Sequence, residues 1–394
     1  MPLRAVRVRG PYKGSSGYDH VVREFVRALV KQGVAVELID FSEWGPNKLP
    51  VQLEDPWFDS LNRPTGARLA LHFCMPHQVK PDPGFHNVNY TMFEATRIHP
   101  TWVAASRQHD LVILPTESSW QAWVSSGVSA ERIRLCPLGI NPEYFTASVR
   151  PLPLRRDDGE PIGQYRRRFL NVSELGPRKN LIGLLRVWLR ATSAADDAIL
   201  VLKLRDHGRS HFEELRVQIA QLEAQLGKRL TEAAPVQLIH GLYADIEMPR
   251  LYASSTHYVS LSHGEGWDQP MFEAAAMGLK LIAPEHSAYL AYLDRSVAQL
   301  IPSREVPAAL PRGGDIGPLF DGANWWDPDE DAAVAILQAA IQGRDSATAS
   351  PRERILRDLT WEKAAGRLIE ILSEVEARKT RGVFGLLSRL SKRD

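Results

Sequence analysis

The sequence predicts an α/β protein built as two doubly wound, Rossmann-like domains facing each other across a cleft. Three observations carry this. From residue 5 to 136, short β-branched or apolar stretches alternate with helix-period stretches, the pattern of a parallel sheet covered by helices on both faces. The same alternation restarts at Phe169 and continues through Ala283. Between the two series, residues 146–168 are rich in Pro, Arg, Asp and Gly without apolar periodicity, as in a linker or exposed insertion. The expected division is a first domain over 1–150, a linker over 151–168, a second domain over 169–358 and a closing segment over 359–394.

Taken in order, 5–8, 34–39, 68–73, 86–92, 111–114 and 133–136 read as strands of the first domain. Residues 20–32 form a helix whose apolar stripe is Val21, Phe25, Ala28 and Leu29. The loop before it carries Gly14 and Gly17, which let the backbone approach a diphosphate or an acceptor closely; a plain surface turn is the other reading. In the second domain, 169–172, 199–203, 236–240, 257–261 and 279–283 read as strands, and 361–376 as a long closing helix. Two such units of similar size make the cleft between them the expected ligand site.

With 394 residues, 24% charged and a net charge of +1, the chain lacks the basic field that nucleic acid as main partner requires. No run approaches the ~18 apolar residues of a membrane span. The opening MPLRAVRVRG is too short and too interrupted by Arg for a secretory signal, and two cysteines, Cys74 and Cys136, fit a reducing compartment. A cytoplasmic enzyme is expected.

The richest stretch is VSLSHGEGWDQPMFEAAAMGLKLIAPEHSA, where a strand breaks at His263-Gly264-Glu265-Gly266 and restarts as a helix. Pro270 suits the first turn of that helix, Asp268 or Gln269 its cap, and Gly278 its end. Backbone N–H groups from Gly266 through Trp267, Asp268, Gln269 and Met271 then surround a place for a phosphate. Two carboxylates mark it, Glu265 in the loop and Glu273 in what the spacing makes the first helical turn.

E-G-W-D-Q-P-M-F-E resembles the E-x7-E motif of retaining glycosyltransferases with the GT-B fold, the family 4 (group 1) type that builds bacterial polysaccharides. The resemblance covers almost the whole chain and implies that Glu273 binds the donor's ribose and Glu265 the sugar. It also implies that the last helix packs back towards the first domain, and that the glycine loop of Gly14 and Gly17 faces the cleft.

A second motif opens the second domain. NVSELGPRKNLIGLL joins a strand, a Gly-Pro loop, the cations Arg178 and Lys179 and an amphipathic helix, which suits an anion. It resembles the family's G-R-x-x-x-x-K-G/N signature, which neutralises the donor pyrophosphate. Lys179 and Asn180 match, but Glu174 stands where the Arg is expected and Ser173 where the Gly is. Arg178, Lys203 and Arg205 are the candidates for the second cation. Glu94, at the end of a first-domain strand, takes the place where many family members have a His; it would contact donor or acceptor hydroxyls or accept a proton, or else cap the next helix.

No metal site is expected. His72, Cys74 and His77 lack a fourth ligand, and Asp329 after Asp327 is better read as a helix cap. The resemblance implies transfer of a sugar from a nucleotide-sugar, UDP- or GDP-linked, to a glycan or polyprenyl-linked acceptor, metal-independent and with retained configuration. The alternatives are a GT-B scaffold that only binds nucleotide-sugar and a GT-B sugar epimerase. The tail 378–394 interleaves cations with Val383, Phe384, Leu386, Leu387 and Leu390, which suits either packing on the first domain or peripheral contact with an anionic inner membrane face.

Overall fold

The computed structural model describes residues 3–41, 44, 49–50, 54–205, 209–310, 316–344 and 349–390, with backbone alone at 209–211 and 378–390. The chain divides into two compact units. One comprises 1–93, 97–139 and 358–394, the other 94–96 and 140–357.

The first unit holds β1 (Ala5–Gly10), α1 (Gly17–Lys31), β2 (Ala35–Asp40), β3 (Leu69–Phe73), β4 (His86–Tyr90), α2 (Pro100–Gln108), β5 (Leu111–Leu114), α3 (Glu117–Ser125) and β6 (Ile133–Leu135). Its six strands are parallel in the order β2-β1-β3-β4-β5-β6. β3 and β5 are buried along their whole length, as expected of strands covered on both faces. Ser16 and Asp19 form a capping box at the start of α1.

The second unit holds β7 (Arg167–Glu174), α4 (Leu181–Ala191), β8 (Ala198–Arg205), α5 (Arg209–Leu226), β9 (Val236–Ile239), α6 (Met248–Ala253), β10 (His257–Val259), α7 (Gln269–Ala276), β11 (Lys280–Pro284) and β12 (Gln299–Ile301). The parallel order is β12-β11-β10-β7-β8-β9. Phe169, Leu185, Trp188, Leu200 and Leu337 lie in its core, and the Trp188 indole N–H donates to the Ala234 carbonyl at 2.9 Å. An antiparallel hairpin follows, β13 (Ser303–Pro307) with β14 (Asn324–Pro328), then α8 (Glu330–Ile341) and α9 (Arg352–Asp358). Ahead of β7, the Pro- and Arg-rich segment is tied to this unit: the Leu152 N–H donates to the Arg250 carbonyl at 3.0 Å and the Gln237 amide to Asp157 at 2.9 Å.

α10 (Trp361–Leu390) lies in the first unit, where the Trp361 ring meets Phe25 at 5.2 Å edge-on. The side chains of 378–394, and with them the apolar strip expected in the tail, lie outside the described residues. Among the described residues no helix is long and apolar enough to cross a membrane.

Candidate functional site

In the second sheet, β8 and β9 lie on one side of β7, and β10 to β12 on the other. The chain therefore reverses its direction of travel across the sheet between β7 and β10, and the carboxyl ends of those two strands are where such folds leave a crevice. Both charged motifs leave from these two ends.

Beyond β7, Gly176 leads into a tight turn over Pro177–Lys179. Asn180 then takes the left-handed conformation, at φ 49°, and caps α4. Its carboxamide accepts from the Gly183 N–H at 3.2 Å and donates to the Leu261 carbonyl at 3.0 Å. Beyond β10, the loop 260–268 runs alongside. The His263 N–H donates to the Arg178 carbonyl at 2.8 Å, and Arg178 Nη1 donates to the Gly264 carbonyl at 2.7 Å. Gly264 is required here, since a Cβ on it would stand 2.1 Å from the Glu94 carbonyl oxygen.

The charged core is compact. Lys179 Nζ lies 2.7 Å from Glu265 Oε1, and Arg178 Nη1 lies 2.9 Å from Glu265 Oε2. The other guanidinium nitrogen of Arg178 is 3.6 Å from Glu174 and 3.9 Å from Glu94. Glu265 is 4% exposed, so its charge exists only because it is paired. Burial alone would raise its pKa, but the Lys179 and Arg178 charges more than offset that and hold the carboxyl below its ordinary value. Burial likewise works against the charge on Lys179, and Glu265 outweighs it, so the ammonium stays protonated. For Glu94 burial wins: its pKa is raised, with Arg178 pulling it down and Glu265 pushing it up.

Asp268 closes the loop. It is left-handed at φ 59°, caps α7 through the Met271 N–H, and accepts the Tyr289 hydroxyl at 2.7 Å. Burial, with the neighbouring Glu265 charge, raises its pKa to about 6. Ser287, at φ 44°, accepts the Glu265 N–H at 3.3 Å. Asn180, Asp268 and Ser287 are the non-glycine residues of positive φ among those described, and all three hold the loops around Glu265. Strained backbone gathered at one place is a mark of a functional site.

The expected residues are thus partly assembled. Lys179, Arg178, Glu265 and Glu94 come together in one cluster. Pro270 and Met271 open α7, and Trp267 is buried against Phe272 at 5.1 Å and Tyr292 at 5.4 Å. Glu273 corrects the sequence reading. With Asp268 as the cap, α7 starts at Gln269 and Glu273 falls in its second turn, buried and accepting the Tyr252 hydroxyl at 2.7 Å. Lys203 sits on β8 with its ammonium 5.8 Å from the Tyr243 ring centroid, its pKa lowered by burial and by Arg205. Gly14 and Gly17 lie in the first unit. The Gly14 and Ser16 N–H groups already donate to Asp19, at 2.6 and 3.1 Å, so those amides serve the cap of α1 rather than a ligand.

The remaining motifs have structural partners. His72 bonds Asn87 at 2.9 Å, His77 stacks on Trp102, burial pushes the Cys74 thiol up to about 12, and Asp329 caps α8. Sequence reasoning missed Tyr252, Tyr289 and Ser287. The only sequence signal for the last two was the crowding of HSAYLAY directly after β11.

No protein-family model matches the chain, and no curated protein matches it in sequence. Solved structures match it in fold. A sucrose-phosphate synthase from Thermosynechococcus elongatus is 16% identical, with 95% of this chain and 100% of that one covered at a TM-score of 0.64. An apo structure of OtsA is 12% identical, with 94% and 99% covered at 0.61. Anabaena HepE in complex with UDP and glucose is 14% identical, with 94% and 100% covered at 0.59. What the chain shares with them is the GT-B fold, with its two Rossmann-like α/β units.

Proposed function

We propose that the chain is a retaining glycosyltransferase that moves a sugar from a UDP- or GDP-sugar to a glycan or lipid-linked acceptor. The observation that carries this is the Arg178–Glu265–Lys179 cluster at the β7/β10 switch point, in a fold shared with a protein solved with UDP and glucose.

Breaking a glycosyl–phosphate bond puts charge on the leaving diphosphate, and groups fixed in advance stabilise that charge best. Lys179 and Arg178 are such groups, held in place by Glu265 before any donor arrives. A diphosphate entering here shares both cations and releases carboxylate oxygens of Glu265 towards sugar hydroxyls. The dipole of α7, whose Met271 N–H is already met by Asp268, adds a positive helix end, so the reading needs no metal ion. Glu273 is assigned the ribose diol. In a front-face displacement the leaving phosphate accepts the acceptor's proton, and the incoming oxygen bonds the anomeric carbon on the face the phosphate leaves. Glu94, raised in pKa by burial and lying near Arg178, is assigned an acceptor or sugar hydroxyl. Synthesis of bacterial surface polysaccharide in the cytoplasm, with the tail at the inner membrane face, completes the proposal.

The test is a donor panel scored for thermal stabilisation and for released nucleoside diphosphate, with and without acceptor and with EDTA present. Binding raises stability by mass action. The reading expects a UDP- or GDP-sugar to stabilise the chain and turn over despite EDTA. Stabilisation without turnover on any acceptor favours a binding scaffold, and complete loss in EDTA restored by magnesium or manganese removes the metal-free mechanism.

A further inference from the structure

The hairpin β13–β14 touches both loops that carry the clustered carboxylates. Both contacts use the edge of β14 that faces away from β13: the Thr96 N–H donates to the Asn324 carbonyl at 2.8 Å and the Asn324 N–H donates to Thr96 Oγ1 at 3.0 Å. Two residues further along the same edge, the Trp326 N–H donates to the His263 carbonyl at 2.8 Å, and His263 Nδ1 meets the Trp326 carbonyl at 3.0 Å. Two aromatic stacks lock this edge, His263 on Trp325 at 4.7 Å and His286 on Trp326 at 5.1 Å. His286 reaches back to the Ser262 carbonyl at 2.9 Å and to Ser287, the residue that accepts the Glu265 N–H.

The segment 94–96 belongs by contact to the second unit although β4 and α2 on either side of it belong to the first. It is short, and Thr96 pairs with Asn324 in both directions. Gly264 lies against the Glu94 carbonyl. We infer that the hairpin is a clasp holding Glu94 and Glu265 on the same guanidinium, with Thr96 as the positioning residue for Glu94. The inference rests on the proposed transferase reading for its catalytic consequence, not for its geometry.

Thr96→Val deletes the hydroxyl that accepts the Asn324 N–H and keeps the side-chain shape, while Thr96→Ser retains the acceptor. The clasp expects Thr96→Val to lower kcat roughly 10- to 100-fold with donor Kd within about twofold of wild type, since an ångström of misplacement has that effect. Thr96→Ser should recover most of the rate, and Thr96→Val should add little in a Glu94→Gln background. A second readout needs no substrate. Glu94 faces Arg178 and Lys179 from the turn after β7, Glu174 from β7 and Glu265 from the neighbouring loop. Moved away from Arg178, its raised pKa rises further, so unfolding free energy should fall more with rising pH in Thr96→Val than in wild type. Unchanged kcat and unchanged pH dependence in a folded Thr96→Val overturn the inference. So does an equal loss with and without Glu94. If the wild type transfers sugar from no donor, the proposed function fails, and the pH dependence of unfolding still decides the clasp.

Discussion

Lys179 and Glu265, 86 residues apart in sequence, form a 2.7 Å ion pair at the carboxyl ends of β7 and β10. Arg178 takes the other oxygen of the same carboxylate at 2.9 Å. One buried carboxylate therefore bridges the two cations, with Glu174 and Glu94 beside Arg178 as well. A buried pair contributes modest net stability when intact, but removing one partner leaves an uncompensated charge.

Glu265→Gln should thus destabilise the protein by about 3 kcal/mol, because Arg178 and Lys179 lose their common counter-charge. Inorganic pyrophosphate or UDP should recover part of that loss by supplying the missing negative charge. Urea denaturation with and without pyrophosphate measures both, and an equally stable variant would show that the pair is not energetically coupled.

Gly264→Ala tests the close approach to Glu94. Its Cβ would fall 2.1 Å from a backbone oxygen, which no side-chain rotation relieves. We expect a loss of about 2 kcal/mol or more, in the range of overpacked cores, accompanied by reduced turnover as Glu94 is displaced.

Much of this arrangement was legible in the sequence, for identifiable reasons. The alternation of buried strands and amphipathic helices gave both sheets, because burial on both faces writes itself as continuous apolar runs such as LVIL of β5. Asp268 and Gly278 bounded α7 by capping chemistry that is local. The cations and Glu265 were visible as residues, yet their mutual pairing was not, since it depends on two loops meeting across adjacent strands. The hairpin escaped because β13 alternates weakly, as intermediate and exposed residues, and its partner lies 17 residues on in β14. Glu273 was placed one turn early because the sequence does not say which of Asp268 and Gln269 caps the helix.

Glu273 and Tyr252 separate a binding role from a packing role. Tyr252→Phe loses one buried hydrogen bond and should cost about 1 kcal/mol of stability with little change in donor affinity. Glu273→Gln keeps an acceptor for the Tyr252 hydroxyl and removes the charge assigned to the ribose. Calorimetric titration with UDP should show at least a tenfold weaker Kd for Glu273→Gln. Equal affinities in both variants would remove the ribose assignment.

Asp268 gives a pH signature. Its folded pKa of about 6 stands above the ordinary value of 3.8, chiefly through burial. A carboxyl raised in the folded state favours folding most below its unfolded pKa, and that contribution is lost as pH rises through the folded one. Unfolding free energy should therefore decline between about pH 4 and pH 6 by up to about 3 kcal/mol from this group. Asp268→Asn, which keeps the cap on Met271, should flatten that stretch. A profile identical to wild type would mean that another group titrates there.

In the proposed transfer, Arg178 and Lys203 are competing candidates for the second cation on the diphosphate. Arg178 shares Glu265 with Lys179 and lies within 3.9 Å of Glu94 and Glu174, so its guanidinium occupies the centre of the cluster from the turn rather than from the end of β7. Lys203 is 7% exposed, faces the Tyr243 ring, and its pKa is lowered, so its charge is a burden to the fold. Between that lowered pKa and the ordinary 10.5, the unfolded chain binds the extra proton and stability rises with pH. Arg178→Gln should lower kcat by about 100-fold or more, the effect of removing a donor that meets charge developing in the transition state. Lys203→Met should lower kcat by less than about tenfold, well short of the loss of a transition-state donor, and should remove the rise of stability at alkaline pH. Steady-state rates at saturating donor, set beside urea denaturation from pH 7 to 10, give both quantities. A larger kcat loss in Lys203→Met than in Arg178→Gln would move the leaving-group role to β8 and leave Arg178 as a brace for Glu265.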